Sequence, residues 1–150
     1  MRTTTFLGIL AISLIGLGCG GDSGDEIAAS DLPKAAFLEK ADATCLAAYN
    51  RTKAGFEDFV SDKEKPLSNL EEMREFTGTV TVPAKRRLVR ELQAMGAPEG
   101  DGDQVEAIIG ALEEGIEHAE EDPRTAVTST FGVFSEATRL AEEYGLVNCR

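Results

Sequence analysis

The chain has 150 residues, and 27 acidic residues outnumber its 15 lysines and arginines, for a net charge of −12. Binding to nucleic acid needs a basic field that neutralises phosphates, so this balance excludes nucleic acid as a partner. It also argues against the protein body lying on an anionic membrane, and the length suits one domain with a single core.

The N-terminal residues are typical of an export signal. Arg2 supplies a weakly positive start, Phe6–Leu17 is an apolar run of twelve residues, and small residues follow. Such a run is too short to span a bilayer as a helix, which takes about 20 residues. We therefore predict a signal peptide at residues 1–18.

The signal ends in LIGLGCGG, which resembles the lipobox of bacterial lipoproteins, where the cysteine is lipidated and becomes the first residue. Gly18 fits that pattern, whereas Gly16 stands where leucine is usual, and both glycines would equally suit an ordinary signal peptidase. We expect a fatty acyl chain on Cys19, because cleavage without it would leave an odd thiol in an oxidising compartment. The protein is thus predicted to be exported and lipid-anchored to the outer face of the cytoplasmic membrane.

Cleavage before Cys19 removes one basic residue and no acid, which leaves 14 basic and 27 acidic residues and a net charge of −13. Residues 19–30 are predicted to hold the lipidated cysteine and a flexible tether, since GGDSGDEIAAS is rich in glycine, serine and acid. The folded domain is predicted to span residues 31–150.

Apolar residues recur at helical spacing in four stretches of that domain. Serine, aspartate and proline before these stretches mark helix starts, and glycine marks a helix end. The predicted helices run from a cap at Ser30 or Asp31 to Val60, from a capping box of Ser68 and Glu71 to Met95, from Asp101 or Asp103 to about Ala119, and from Asp122-Pro123 to Gly145.

The second helix has one weak point, the β-branched segment Thr77–Pro83. Proline lacks the amide donor and clashes with the carbonyl four residues earlier. A short strand is the rival interpretation, but no other strand-like run exists to pair with it. We therefore expect a kinked or interrupted helix.

Two cysteines remain besides Cys19, and an even number in an exported chain indicates a disulfide between Cys45 and Cys149. Four helices with short connections favour up-down packing, which places Gly145 roughly 9 Å from the level of Cys45. The last residues can cover that distance. The predicted fold is an all-α, up-down four-helix bundle with a kinked second helix, closed by one disulfide.

Three stretches of the chain resemble a group of small lipoproteins of actinomycete type. The residues that carry the resemblance are Phe37, Ala41-Asp42-Ala43 and Cys45; Gly96-Ala97-Pro98, Asp101 and Asp103-Gln104-Val105; and Tyr144-Gly145-Leu146 and Cys149. The resemblance covers most of the mature chain and implies a bundle, export and a disulfide. The group carries no assigned activity, so no catalytic residue is transferred.

One basic cluster stands out in this acidic protein: Lys85, Arg86, Arg87 and Arg90. It is a candidate surface for a ligand or partner, such as an anionic polymer or a lipid headgroup. The alternative is internal ion pairing, because antiparallel neighbours would place the cluster opposite Glu106 and Glu113-Glu114.

The sequence offers little for catalysis or metal binding. His118 is the only histidine, and Gly115 stands where a di-iron bundle needs glutamate. Asp101-Gly102-Asp103 resembles the start of a calcium loop, but Glu106 and Leu112 occupy its required glycine and glutamate positions. No nucleophile or nucleotide motif is present, so we predict no metal, no cofactor and no enzyme activity.

The sequence therefore predicts a non-catalytic envelope lipoprotein that acts as a binding or interaction module. Its partners would be the membrane, through the N-terminal lipid, and a protein or envelope component. The alternative is a carrier that holds an apolar small molecule between helices, or divalent cations on its acidic faces. Phe131, Phe134 and Tyr144 would line the apolar site.

Overall fold

The computed structural model describes residues 27–128 and 132–149, so the predicted signal peptide and Cys19 lie outside the described residues. In the described ranges the secondary structure is helical, without strands, which confirms the all-α class there. The elements in chain order are α1 (Lys34–Val60), α2 (Leu70–Phe76), a π-helical segment (Thr77–Thr81), α3 (Val82–Met95), α4 (Gly102–Glu121), α5 (Pro123–Thr128) and α6 (Ser135–Tyr144). None of these helices has both the length and the apolar character needed to cross a membrane.

Helix α3 lies at the centre of the packing, between α1 and α4, and α4 in turn contacts α5 and α6. The core consists of apolar side chains that these helices turn toward one another, and their removal from water stabilises the fold. Its larger members are Phe37, Leu88, Val89, Leu92, Val105, Ile108, Ile109, Leu112, Ile116, Tyr144 and Leu146.

Helix α1 contributes only its first half to this core. Its buried residues are Phe37, Ala41, Cys45 and Ala48, four of the positions that face one side of a helix. Further along the same helix, Phe56 is 40% exposed, and its ring packs edge-on against Phe76 at 5.8 Å. The second half of α1 therefore has an aromatic contact with α2 in place of a closed core.

The start of α1 differs from the prediction. Pro33 occupies the N-cap position, and Ser30 accepts a hydrogen bond from the Leu32 amide instead of capping the helix. Residues 27–30, expected in the tether, lie against the body: the Ser30 amide donates to the Ala97 carbonyl at 2.7 Å, and the Ala97 amide donates to Ala28 at 3.0 Å. The ordered body thus begins before residue 31.

The cap of α2 is shifted by one residue from the prediction. Asn69, not Ser68, accepts from a helix amide, that of Glu72, and the Glu72 carboxylate accepts from the Ser68 amide. These two hydrogen bonds follow the reciprocal pattern of a capping box.

The expected interruption of the second helix takes the form of a π-helical segment. Helical structure runs without a gap from Leu70 to Met95, and at the junction the Val82 amide donates to the carbonyl of Thr77, five residues back. Pro83 has no amide hydrogen to donate to the carbonyl four residues earlier. The wider π-helical turn bonds over five residues instead, so this α-helical hydrogen bond is not needed.

The predicted fourth helix is divided. Within the described residues, α5 ends at Thr128, residues 132–134 form a turn, and α6 begins at Ser135. The turn packs tightly on Gly115 of α4: a Cβ at Gly115 would lie 2.5 Å from the Phe134 ring and 2.8 Å from the Val133 carbonyl. The prediction of a single helix was wrong. The close packing of residues 133 and 134 on Gly115 is a tertiary contact, and it forms in place of a continuous helix.

The C-terminal segment returns from α6 to α1. Gly145 adopts the left-handed conformation (φ 108°) as predicted, and the chain then buries Leu146. The Asn148 amide donates to Asp42 Oδ1 at 2.7 Å, and its side-chain amide donates to Oδ2. Cys149 and Cys45 stand at disulfide distance, with Cα atoms 4.8 Å apart, which agrees with the expected pairing.

Asp101 holds three elements together. Although it occupies the N-cap position of α4, its side chain makes no capping bond; it accepts from the Tyr144 hydroxyl at 2.7 Å and pairs with Lys34 at 3.2 Å. These partners, Tyr144 first, hold the pKa of Asp101 below its usual range. Burial and Asp101 raise the pKa of Tyr144, so the phenol stays protonated and donates.

Replacing both paired cysteines by serine should lower the free energy of unfolding by about 4 kcal/mol, because the link closes a long loop in the unfolded chain. Urea denaturation of the oxidised protein and of the double variant measures the difference. The Cys19→Ala form is the control, since it keeps the pair. Alkylation of both Cys45 and Cys149 without reductant would contradict the disulfide.

Two glycines of α4 form a matched pair. Gly110→Ala meets nothing within 4 Å and should stabilise by up to about 1 kcal/mol, the helix preference of alanine. Gly115→Ala should destabilise, since its methyl group must displace backbone and ring atoms of residues 133 and 134. Thermal unfolding of both variants checks the opposite signs, and equal effects would disprove the close approach.

Asp101→Asn should cost stability in a pH-dependent way. The pKa of Asp101 is lower in the folded protein than in the unfolded chain, where it is about 3.9. The ionised carboxylate therefore stabilises the fold fully above the unfolded pKa, and this stabilisation is lost as pH falls through the folded pKa. The difference in free energy of unfolding between wild type and Asp101→Asn should be constant above about pH 5 and shrink below about pH 4. A difference that grows in acid would show that Asp101 is not held ionised.

Candidate functional site

The basic cluster predicted from the sequence lies on α3, but its members do not form one patch. Arg86, Arg87 and Arg90 are exposed and Lys85 is half-buried. Successive residues of a helix point about 100° apart, so neighbours in sequence face different surroundings. The four cations therefore reach three places.

Lys85 points inward, with its Nζ 4.8 Å from the centre of the Phe134 ring. Burial lowers the pKa of this ammonium group. Lys85 also lines a gap beside Cys45 and Cys149, but the gap holds only about 10 Å³, which is room for no more than one water. Lys85 is thus unavailable to a partner on the surface.

Arg86 crosses to α4. Its Nη2 donates to both carboxylate oxygens of Glu120, at 2.9 and 3.0 Å. The sequence predicted Glu106 and Glu113-Glu114 as partners; the register instead brings Glu120 to Arg86 and leaves Glu113 to accept from Gln93 at 3.2 Å. Both members of the Arg86–Glu120 pair are about half exposed, so the pair stabilises little.

An open groove of about 360 Å³ runs between α3 and α4, and we call it the α3–α4 groove. Buried Val89 and Ile116 form its apolar floor. Arg90 lines it without an ion pair among the described residues. Its full lining is Arg86, Val89, Arg90, Gln93, Glu113, Ile116 and Glu117, so basic and acidic side chains share its walls.

A second open groove, of about 270 Å³, lies between α1, the π-helical segment and the start of α3, and we call it the π groove. Its lining is Arg51, Gly55, Thr79, Val80, Pro83, Ala84 and Arg87. Both walls carry an arginine, the floor is largely apolar, and no carboxylate lines it.

The two arginines of the π groove share one carboxylate. Arg87 Nε donates to Glu91 Oε1 at 2.7 Å, and Arg51 Nη2 donates to Oε2 at 3.2 Å. These arginines, Arg87 first, hold the pKa of Glu91 below its usual range, so it stays ionised. Two cations on one anion leave the trio with a net charge of +1.

Sequence reasoning missed Arg51, because it lies on α1 and 36 positions before Arg87. Its sequence signal is weak: it is a basic residue one helical turn before Gly55. The structure places Gly55 where α1 passes the π-helical segment. Only the packing of α1 on α3 brings Arg51 and Arg87 together.

Three residues were predicted to line an apolar ligand site between helices, and two of them, Phe134 and Tyr144, are described. Tyr144 packs on Phe37 at 6.1 Å and bonds Asp101, whereas Phe134 lies under Lys85; Phe131 is outside the described residues. No group of three or more histidine, cysteine or acidic side chains that could hold a metal ion occurs within residues 27–128 and 132–149.

Comparisons with protein-family models, with curated proteins and with solved structures find no match to this chain. The candidate site is therefore interpreted from its own geometry: two open grooves, each with an apolar floor and arginine in its walls, on either side of α3.

Proposed function

We propose that this protein is a non-catalytic envelope lipoprotein, anchored through Cys19 to the outer face of the cytoplasmic membrane, that acts as a binding module. The leader-like N-terminus and the lipobox resemblance support export and anchoring. The likeness to small actinomycete-type lipoproteins is part of the same proposal.

One observation carries the binding role: α3 is flanked by two open grooves that combine guanidinium groups with apolar floors. Guanidinium groups recognise carboxylates and phosphates with defined geometry, and an apolar floor adds affinity through burial. A further open groove, beside residues 30–34 and 98–101, lacks this combination, since its lining contains Asp31, Glu99 and the paired Asp101.

The length of chain between Cys19 and Ile27 limits how far Ile27 can lie from the membrane. Eight residue steps separate Cys19 from Ile27, the first described residue, and they span at most about 28 Å. An acyl chain on Cys19 would therefore hold Ile27 near the outer face of the cytoplasmic membrane.

We also propose that the helical stretches follow the up-down order. Arg86 contacts Glu120, whereas Gln93, which comes later on α3, contacts Glu113, which comes earlier on α4. This order of contacts supports an antiparallel arrangement of the two helices. Arg51 pairs with Glu91 of α3, and Gly55, later on α1, lies against Val80 of the preceding π-helical segment, so α1 is also antiparallel to this continuous helix. The division of the last stretch into α5 and α6 is compatible with this order.

The carrier alternative has less support. The interior gap beside the cysteine pair is too small for an organic ligand, and no metal-holding cluster of acidic residues occurs in the part of the chain that the structure describes. The binding-module proposal therefore rests on surface grooves, not on an internal cavity.

Cys19→Ala separates anchoring from folding. Wild-type protein should be recovered in the membrane fraction, with acyl mass on a peptide that begins at Cys19, whereas Cys19→Ala should lose both. Fractionation of the native host and mass spectrometry measure this. Wild-type protein found in the cytosol with residues 1–18 intact would refute the proposal.

Crosslinking on intact cells tests the binding role. We expect the double variant Arg86→Gln/Arg90→Gln to capture at least about fivefold less of the envelope component that wild type captures. The reason is that it removes two guanidinium groups from the α3–α4 groove. Lys53→Gln is the control, because Lys53 is 61% exposed and pairs only with Glu57 of its own helix. Equal capture by all three proteins would place the recognition surface elsewhere.

A further inference from the structure

Arg51 and Arg87 line the two walls of the π groove, and Glu91 does not use all of their hydrogen-bond donors. Arg51 and Arg87 each give one nitrogen to Glu91 in the contacts seen, although an arginine carries five N–H donors. The Nε of Arg51 is buried and has no partner among the described residues. A buried donor without a partner calls for an explanation, because leaving it unpaired costs free energy.

The charge of the π groove matches a singly charged anion. Arg51, Arg87 and Glu91 sum to +1, and no carboxylate lines the groove itself. A monoanion would neutralise this local charge, whereas a doubly charged phosphate would leave an excess negative charge beside Glu91. A cation would meet two guanidinium groups.

The size and floor of the π groove indicate what accompanies the anionic group. Val80, Pro83 and Ala84 give an apolar floor, and Ala84 is buried. The volume of about 270 Å³ lies just below the usual range for drug-sized ligands, which starts at about 300 Å³. A short aliphatic chain fits this space.

From these observations we infer that the π groove binds a small aliphatic monocarboxylate, whose carboxylate bridges Arg51 and Arg87 and whose chain lies on Val80 and Ala84. This inference deepens the proposed function, since it assigns a ligand class to one of the two grooves and rests on the binding role. The π-helical segment adds weight, because such segments occur frequently at functional sites.

Titration of purified, exported Cys19→Ala protein with hexanoate tests the inference, since this form has no acyl chain of its own. We expect saturable shifts of the Thr79, Val80 and Ala84 amides in NMR spectra, with a Kd on the order of 1 mM. The Val89 and Ile116 amides of the other groove should not move. Hexylamine, a cation at neutral pH, is the probe for the same chain with the opposite charge, and inorganic phosphate is the probe for a different anion.

Arg87→Gln should weaken hexanoate binding about tenfold, because it removes one charged donor from an exposed position. Arg139→Gln is the matched control, because Arg139 is exposed and lines neither groove but pairs with Glu136 and Glu143 of its own helix, and it should change the Kd less than twofold. Circular dichroism checks that both variants remain helical. The amide shifts of the Cys19→Ala protein itself provide a second readout that needs neither variant.

Three results would overturn the inference: no saturable shift with hexanoate, the same shifts with hexylamine, or phosphate binding at least as tight as hexanoate. Equal loss in Arg87→Gln and Arg139→Gln would do so as well. The experiment uses isolated protein, so its failure leaves anchoring and envelope capture untouched. Failure of Cys19 acylation, in turn, leaves hexanoate binding intact.

Discussion

The rest of the structure depends on the closure of the chain onto itself at Cys45 and Cys149. Without it, α6 would be held mainly by α4, because α1 and α6 meet chiefly through the segment that follows Gly145. The Asp42–Asn148 bonds and buried Leu146 act with the cysteine pair at the same place. This closure ties the C-terminal segment to α1, the helix that also supplies one wall of the π groove.

The central position of α3 explains why a basic cluster in sequence becomes two different surfaces. Helix geometry directs Arg86 and Arg90 toward α4 and Arg87 toward α1, while Lys85 turns inward over the Phe134 ring. Each arginine then meets a different local charge. The α3–α4 groove mixes both signs, whereas the π groove keeps an excess positive charge, and this difference singles out the π groove for a specific anion.

Two backbone features shape these surfaces. The π-helical segment accommodates Pro83 while the helix continues, and it provides Thr79 and Val80 as part of a groove wall. Gly115 allows the backbone of residue 133 to approach α4 so closely that a side chain at 115 would collide with it. In both cases a local departure from ideal helix geometry is balanced by packing elsewhere, as expected where several helices share one core.

The sequence alone determined what depends on short spacing: the all-α class, the end of α1, the cap at Asp122, the left-handed stop at Gly145 and the weak point at Thr77–Pro83. These features follow from hydrophobic period and capping chemistry, which neighbouring residues carry. The cysteine partners, 104 residues apart, follow instead from the number of cysteines. Tertiary structure decided the division of the last helix, the docking of residues 27–30, the release of Asp101 from capping to Tyr144, and the meeting of Arg51 with Arg87. Each of these depends on contacts between residues far apart in the chain, where register and close approach, not local propensity, determine the lowest free energy.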